Sequence, residues 1–85
     1  MRYAVDFDGT ISINGKPNND LINWLRSMQL QGHEVILFTS RTGQRVSEAV
    51  SFCAKHGLRF NGVIGGKPLC DYYIDDKAIN PRWQT

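Results

Sequence analysis

The nine residues Arg2-Tyr3-Ala4-Val5-Asp6-Phe7-Asp8-Gly9-Thr10 decide how the rest of the chain is read. A short apolar run, Tyr3 to Val5, stops abruptly on two aspartates separated by one residue. Such a run reads as a buried strand, and Gly9 allows a sharp turn just past it. Asp6 and Asp8 are thereby predicted at the carboxyl end of a first strand.

Outward from that strand, Gly9 to Asn19 is rich in Gly, Asn, Pro and Lys and reads as a loop or tight hairpin. Asn18, Asn19 and Asp20 offer N-cap side chains. Leu21, Trp24, Leu25 and Met28 then recur at helical spacing, which predicts an amphipathic helix from Asp20 to Gln31, stopped by Gly32. The continuous apolar run Glu34-Val35-Ile36-Leu37-Phe38-Thr39 fits a strand buried on both faces. A second helix is predicted from Gln44 to His56 on Val46, Ala49, Val50 and Cys53, stopped by Gly57. Phe60 to Ile64 reads as a weaker third strand and Tyr72 to Ile74 as a fourth, ending on Asp75 and Asp76. The tail from Asn80, with Pro81 and Trp83, is expected to be irregular.

Strands alternating with helices imply right-handed crossovers and a parallel sheet. The predicted fold is therefore α/β: a three-layer, Rossmann-like parallel sheet of about four strands flanked by helices, forming one domain over residues 1–85. In open sheets of this kind ligands bind beyond the carboxyl ends of the strands. Each predicted strand delivers polar groups to that edge: Asp6 and Asp8 from the first, Thr39, Ser40 and Arg41 from the second, Lys67 after the third, and Asp75 and Asp76 from the fourth. Converging carboxylates repel unless a cation sits among them. An all-oxygen donor set without His or Cys selects a hard ion, and magnesium is the usual choice beside a phosphate.

Composition excludes several alternatives. No stretch is apolar for long enough to span a bilayer. Asp6 and Asp8 fall where the apolar part of a signal peptide would run, so a cytoplasmic protein is expected. The two cysteines, Cys53 and Cys70, have no zinc-site spacing. Cys53 is expected in the core, and Cys70 in a loop near the site. His33 and His56 adjoin helix-ending glycines and suit capping. The net charge is +2, yet setting aside Asp6, Asp8, Asp75 and Asp76 leaves ten basic residues against four acidic ones. That remainder would attract anionic substrates if the four aspartates hold a metal.

Together these residues resemble the haloacid dehalogenase-like superfamily of aspartyl-phosphate hydrolases over nearly the whole chain. Asp6-Phe7-Asp8-Gly9-Thr10 is similar to its first motif, and Ile36-Leu37-Phe38-Thr39 to its second. Lys67 is similar to its third, and Tyr73-Ile74-Asp75-Asp76 to its fourth. Short hydrolases of the capsule-biosynthesis phosphatase type are the nearer resemblance, carried by Gly66-Lys67-Pro68 through Tyr73-Ile74-Asp75-Asp76-Lys77-Ala78-Ile79.

The resemblance implies a magnesium-dependent phosphatase for phosphate monoesters. Asp6 would be the nucleophile and Asp8 the acid and base. Thr39 would bind a phosphoryl oxygen, and Lys67 would balance charge. Thr10, Ser40 and Arg41 would contribute to substrate binding or to the turn. Magnesium would be held by Asp6, the backbone carbonyl of Asp8, and Asp75 or Asp76. An acid at position 8 argues for phosphoryl transfer over dehalogenation. Larger members carry a cap domain, for which neither gap here has room, so an open site is expected. An open site suits a macromolecular substrate or a homodimer with Trp24, Tyr72 and Trp83 at its interface. Two other readings stand beside this one: a polynucleotide end phosphatase, and a catalytically weak binding or assembly module.

Overall fold

The structure, a computed structural model, describes residues 1–65, 70–75 and 79–81. Arg2–Asp6 forms β1, Ser12–Ile13 β2, Lys16–Pro17 β3, Asn19–Leu30 α1, Glu34–Thr39 β4, Gln44–Lys55 α2, Gly62–Gly65 β5, Tyr72–Ile74 β6 and Ile79–Pro81 β7. The main sheet runs β5-β4-β1-β6-β7. Its first four strands are parallel, and β7 joins β6 antiparallel. This is an α/β, Rossmann-like sheet flanked by two helices. Neither helix is long and apolar enough to cross a membrane.

The central strand is β1, with β4 on one side and β6 on the other. Its Ala4 and Val5 are fully buried. Alternation along a strand sends successive side chains to opposite faces. Tyr3, Val5, Val35, Leu37 and Ile74 accordingly share one core with Ile22 and Leu25 of α1 and Ala49 and Cys53 of α2. Both helices therefore pack on the same face. The chain steps from β1 to β4 to β5 in one direction, and two right-handed crossovers in one direction put both helices on one side. The expected three layers are thus refined. On the opposite face the described residues that pack are Ala4, Cys70, Tyr73 and Phe38, without a helix. Small Ala4 pairs with Ile36 and Tyr73, and the Phe38 and Tyr73 rings meet edge to face at 5.7 Å.

Three local expectations are corrected. The tail is not irregular throughout, since residues 79–81 form an edge strand, where proline is tolerated because the outer edge needs no ladder donor. The third strand begins at Gly62 rather than Phe60. Asn61 instead uses its side-chain oxygen to accept from the Val35 N–H at 2.8 Å and from Gln29 at 3.1 Å. Cys70 precedes the amino end of β6, away from the carboxyl edge, and its thiol donates to the Tyr72 carbonyl at 3.2 Å. The segment after β1 is a hairpin, β2 and β3, whose turn residues Asn14 and Gly15 both take positive φ, 52° and 77°. Trp24 and Tyr72 pack against Tyr3, at 5.5 Å edge to face and 5.4 Å stacked. His56 is the C-cap of α2, and His33 Nδ1 lies 3.0 Å from the amino terminus. Trp83 lies outside the described residues.

Asn18 caps α1, accepting from the Leu21 N–H at 3.4 Å while its Nδ2 donates to the Thr10 carbonyl at 3.1 Å. One side chain thus ties the helix start to the turn after β1. Asn18→Ala should cost about 1–2 kcal/mol, since a cap alone is worth ~1. Urea denaturation would show this as a lower midpoint with an unchanged slope.

Cys53 is fully buried, as expected. Burial raises its thiol from an ordinary 9.0 to about 12. A group whose folded value is raised contributes stability that is present below the unfolded value and lost as pH climbs. Stability should therefore decline across the window from about 9 to about 12. At pH 8 a disulfide reagent should leave Cys53 unmodified in the folded protein and label it fully in guanidinium. Peptide mapping would read the difference.

Candidate active site at the carboxyl edge of the sheet

The register that builds the sheet also builds the site. Val5 pairs with Ile74, so the next residues, Asp6 and Asp75, emerge side by side from adjacent strand ends. These parallel strands connect to opposite sides: β1 leads away toward β4, while β6 leads outward to β7. Crevices at such switch points are where open sheets bind ligands. Asp6 is half-buried and shares the face of Ala4. Its Oδ1 accepts from the Phe7 N–H at 2.8 Å.

Past Asp6 the chain folds back on the Phe7 carbonyl, which accepts from the N–H groups of Thr10, Ile11 and Ser12 at 3.2, 3.0 and 3.1 Å. Gly9 makes this possible with φ 78°. Phe7 and Ile11 point into the core, at 3% and 0% exposed. Asp8 is left outside the turn with over half its side chain in solvent.

Asp8 meets Arg41, the second residue beyond β4. The guanidinium donates through Nη2 to Oδ1 at 2.7 Å and through Nε to Oδ2 at 2.8 Å, a two-point bridge. Arg41 lies over the Phe7 ring, 4.8 Å from its centre, and Nη1 donates to the Arg45 carbonyl at 3.2 Å. The hydrogen bond from Arg41 lowers the Asp8 carboxyl below its ordinary value; burial opposes this, and the charges of Arg41 and Arg45 reinforce the lowering. Asp8 is an ionised carboxylate at neutral pH in this arrangement.

Thr39, at the end of β4, is buried, and its hydroxyl oxygen accepts from the Arg41 N–H at 3.1 Å. That bond uses an oxygen lone pair and leaves the hydroxyl proton available to donate. Ser40 is exposed at the same edge. Thr10 is different: it is 3% exposed, and its hydroxyl finds no partner among the described residues. The turn is held by its backbone groups instead of its side chain, and a residue so buried does not offer a substrate contact. Lys67 and Asp76 lie outside the described residues.

Asp6, Asp8, Thr39, Arg41 and Asp75 are therefore gathered at one edge, as the sequence implied. The partnership of Asp8 with Arg41, and its support by Phe7 and the Arg45 carbonyl, was not foreseen. Two opposite charges assigned to one edge were the available signal.

Among the described residues no three His, Cys, Asp or Glu side chains form a group able to hold a metal ion. Magnesium is commonly bound through only one or two carboxylates, with waters and substrate phosphate completing the shell. Asp6 and Asp75, with the Asp8 carbonyl, would be a donor set of that kind. All donors are oxygen, which fits magnesium and does not favour zinc or copper.

The fold and this edge define a Rossmann-like α/β domain with an acidic site at a topological switch point. A solved structure of a conserved protein from Bacteroides thetaiotaomicron is similar, with 30% identity and a TM-score of 0.82, covering 99% of this chain and 84% of that one. The chain belongs to the family of that conserved protein. No protein-family model and no curated protein matches it.

Proposed function

We propose that the protein is a magnesium-dependent phosphatase of the haloacid dehalogenase-like superfamily, acting on phosphate monoesters through Asp6, in the cytoplasm. The observation that carries this reading is the side-by-side emergence of Asp6 and Asp75 at the switch point, with Thr39 and Asp8 at the same edge.

An Asp6 carboxylate oxygen attacks phosphorus, and the bond from phosphorus to the ester oxygen breaks. Asp8, once parted from Arg41 and protonated from solvent, gives that proton to the leaving oxygen. Water, deprotonated by Asp8, then attacks the aspartyl-phosphate, releasing phosphate and restoring the Asp6 carboxylate. Thr39 donates its hydroxyl proton to a phosphoryl oxygen. Lys67, outside the described residues, would balance the charge there. The metal, when bound, offsets the charge of the phosphoryl group beside Asp6. Asp8 reaches the leaving oxygen only by parting from Arg41.

The segment between β1 and α1 is a short hairpin, and that between β4 and β5 is α2 with its turns. Among the described residues neither segment builds a cap, and an edge left uncovered suits large or loosely held substrates. Purified protein assayed on p-nitrophenyl phosphate and on a 5′-phosphorylated oligonucleotide, with and without magnesium, tests the proposal. Magnesium-dependent release of phosphate from either supports it. Release from the oligonucleotide alone favours an end phosphatase. No release from either, at saturating metal, favours a binding module.

A further inference from the structure

The phosphatase reading assigns Asp8 a definite task but places Arg41 only generally, among residues of substrate binding or the turn. We propose that Arg41 is the specificity-determining residue of the site: it selects phosphate esters carrying a second anionic group, and on binding one it exchanges its bridge to Asp8 for a bridge to that group. This rests on the phosphatase reading and names the substrate class for it.

The first support is geometry. The guanidinium fork is already arranged to hold a planar anion at two points, because it holds the Asp8 carboxylate that way. It is rigid: the Phe7 ring lies beneath it and the Arg45 carbonyl fixes Nη1. Most of the Arg41 side chain is covered, while Asp8 is more than half exposed. In an exchange, Asp8 is therefore the partner that moves, freed to reach the leaving oxygen, and Arg41 stays.

The second support is energetic. An ion pair with one exposed partner is weak, since water competes for the carboxylate. An incoming anion replaces one charge-assisted bridge with another. A substrate without a second anion offers no such replacement and must break the bridge uncompensated.

The third is the surrounding charge. Arg45 acts on Asp8 from the first turn of α2, and that turn contains no acidic residue. Glu48, one turn further on, is the acidic residue of α2 that acts on Arg41. An anion taking the place of Asp8 lies where both Arg41 and Arg45 act.

Non-hydrolysable probes test this without requiring turnover. Methylphosphonate presents one anionic group, phosphonoacetate adds a carboxylate, and methylenebisphosphonate adds a second phosphonate. Calorimetric titration in magnesium should show both two-anion probes binding wild type at least about tenfold more tightly than methylphosphonate. Arg41→Gln should bring the three affinities within about twofold, and Arg41→Lys should restore part of the preference. A 5′-phosphorylated oligonucleotide, whose second anion is a neighbouring phosphodiester, separates a nucleic acid source from a small-molecule source. Equal affinities in wild type, or a preference that survives in Arg41→Gln, would overturn the proposal. Turnover of p-nitrophenyl phosphate alongside equal affinities would overturn this inference while the phosphatase reading stands. No binding of any probe together with no turnover would overturn both.

Discussion

Asp6→Asn should abolish turnover of phosphate esters, by on the order of 10⁴-fold or more, while leaving the fold intact. Removing a nucleophile from a site that works as a unit costs that much or more in other hydrolases. The substitution is nearly isosteric. The amide oxygen can still accept the Phe7 N–H that Asp6 Oδ1 now accepts at 2.8 Å. Neighbouring Val5 and Phe7 keep their places in the core. Circular dichroism and the thermal midpoint should therefore match wild type closely in the absence of metal. Loss of activity with loss of structure would say nothing about chemistry; loss without it isolates the carboxylate. A variant retaining a tenth of wild-type turnover would remove Asp6 from the nucleophile's role.

The second large effect concerns stability. Leu37 is fully buried on β4 and packs with residues of β1, α1 and α2. Leu37→Ala should cost about 3 kcal/mol, combining lost transfer energy with the cavity left behind. In a domain of 85 residues this is a large share of the total. The thermal midpoint should fall by roughly 15 °C. A change under about 1 kcal/mol in urea denaturation would mean that the surrounding helices collapse onto the site easily.

Much of the fold was legible because the signals were local. The spacing of Leu21, Trp24, Leu25 and Met28 located α1 to within one residue at each end. Tyr72–Ile74 was bounded correctly because aspartates follow it. What stayed hidden depended on strand order. Periodicity says that β1, β4 and β5 alternate with helices, but not that β6 returns to the far side of β1. That return sets Asp6 beside Asp75. The tail from Asn80 was read as irregular because Asn80 and Pro81 are strand breakers, whereas an edge position tolerates them.

The site divides in the same way. Strand-end chemistry at Asp6, Thr39 and Asp75 could be inferred because each ends an apolar run. The bridge from Arg41 to Asp8 spans 33 positions and depends on how two loops meet, which no local pattern reports. Thr10 shows the converse. A hydroxyl in a motif-like position was expected near substrate, yet the turn around the Phe7 carbonyl draws it inside.

The central claim is that Asp6 carries the phosphoryl group. It is tested most directly by quenching the protein in acid during turnover of p-nitrophenyl phosphate with magnesium, reducing with borohydride and mapping peptides by mass spectrometry. An acyl phosphate is reduced to an alcohol, so homoserine should replace Asp6 in wild type only when substrate and metal are both present. Phosphate release with no modification at Asp6, or with the modification at Asp8 or Asp75, would contradict the account.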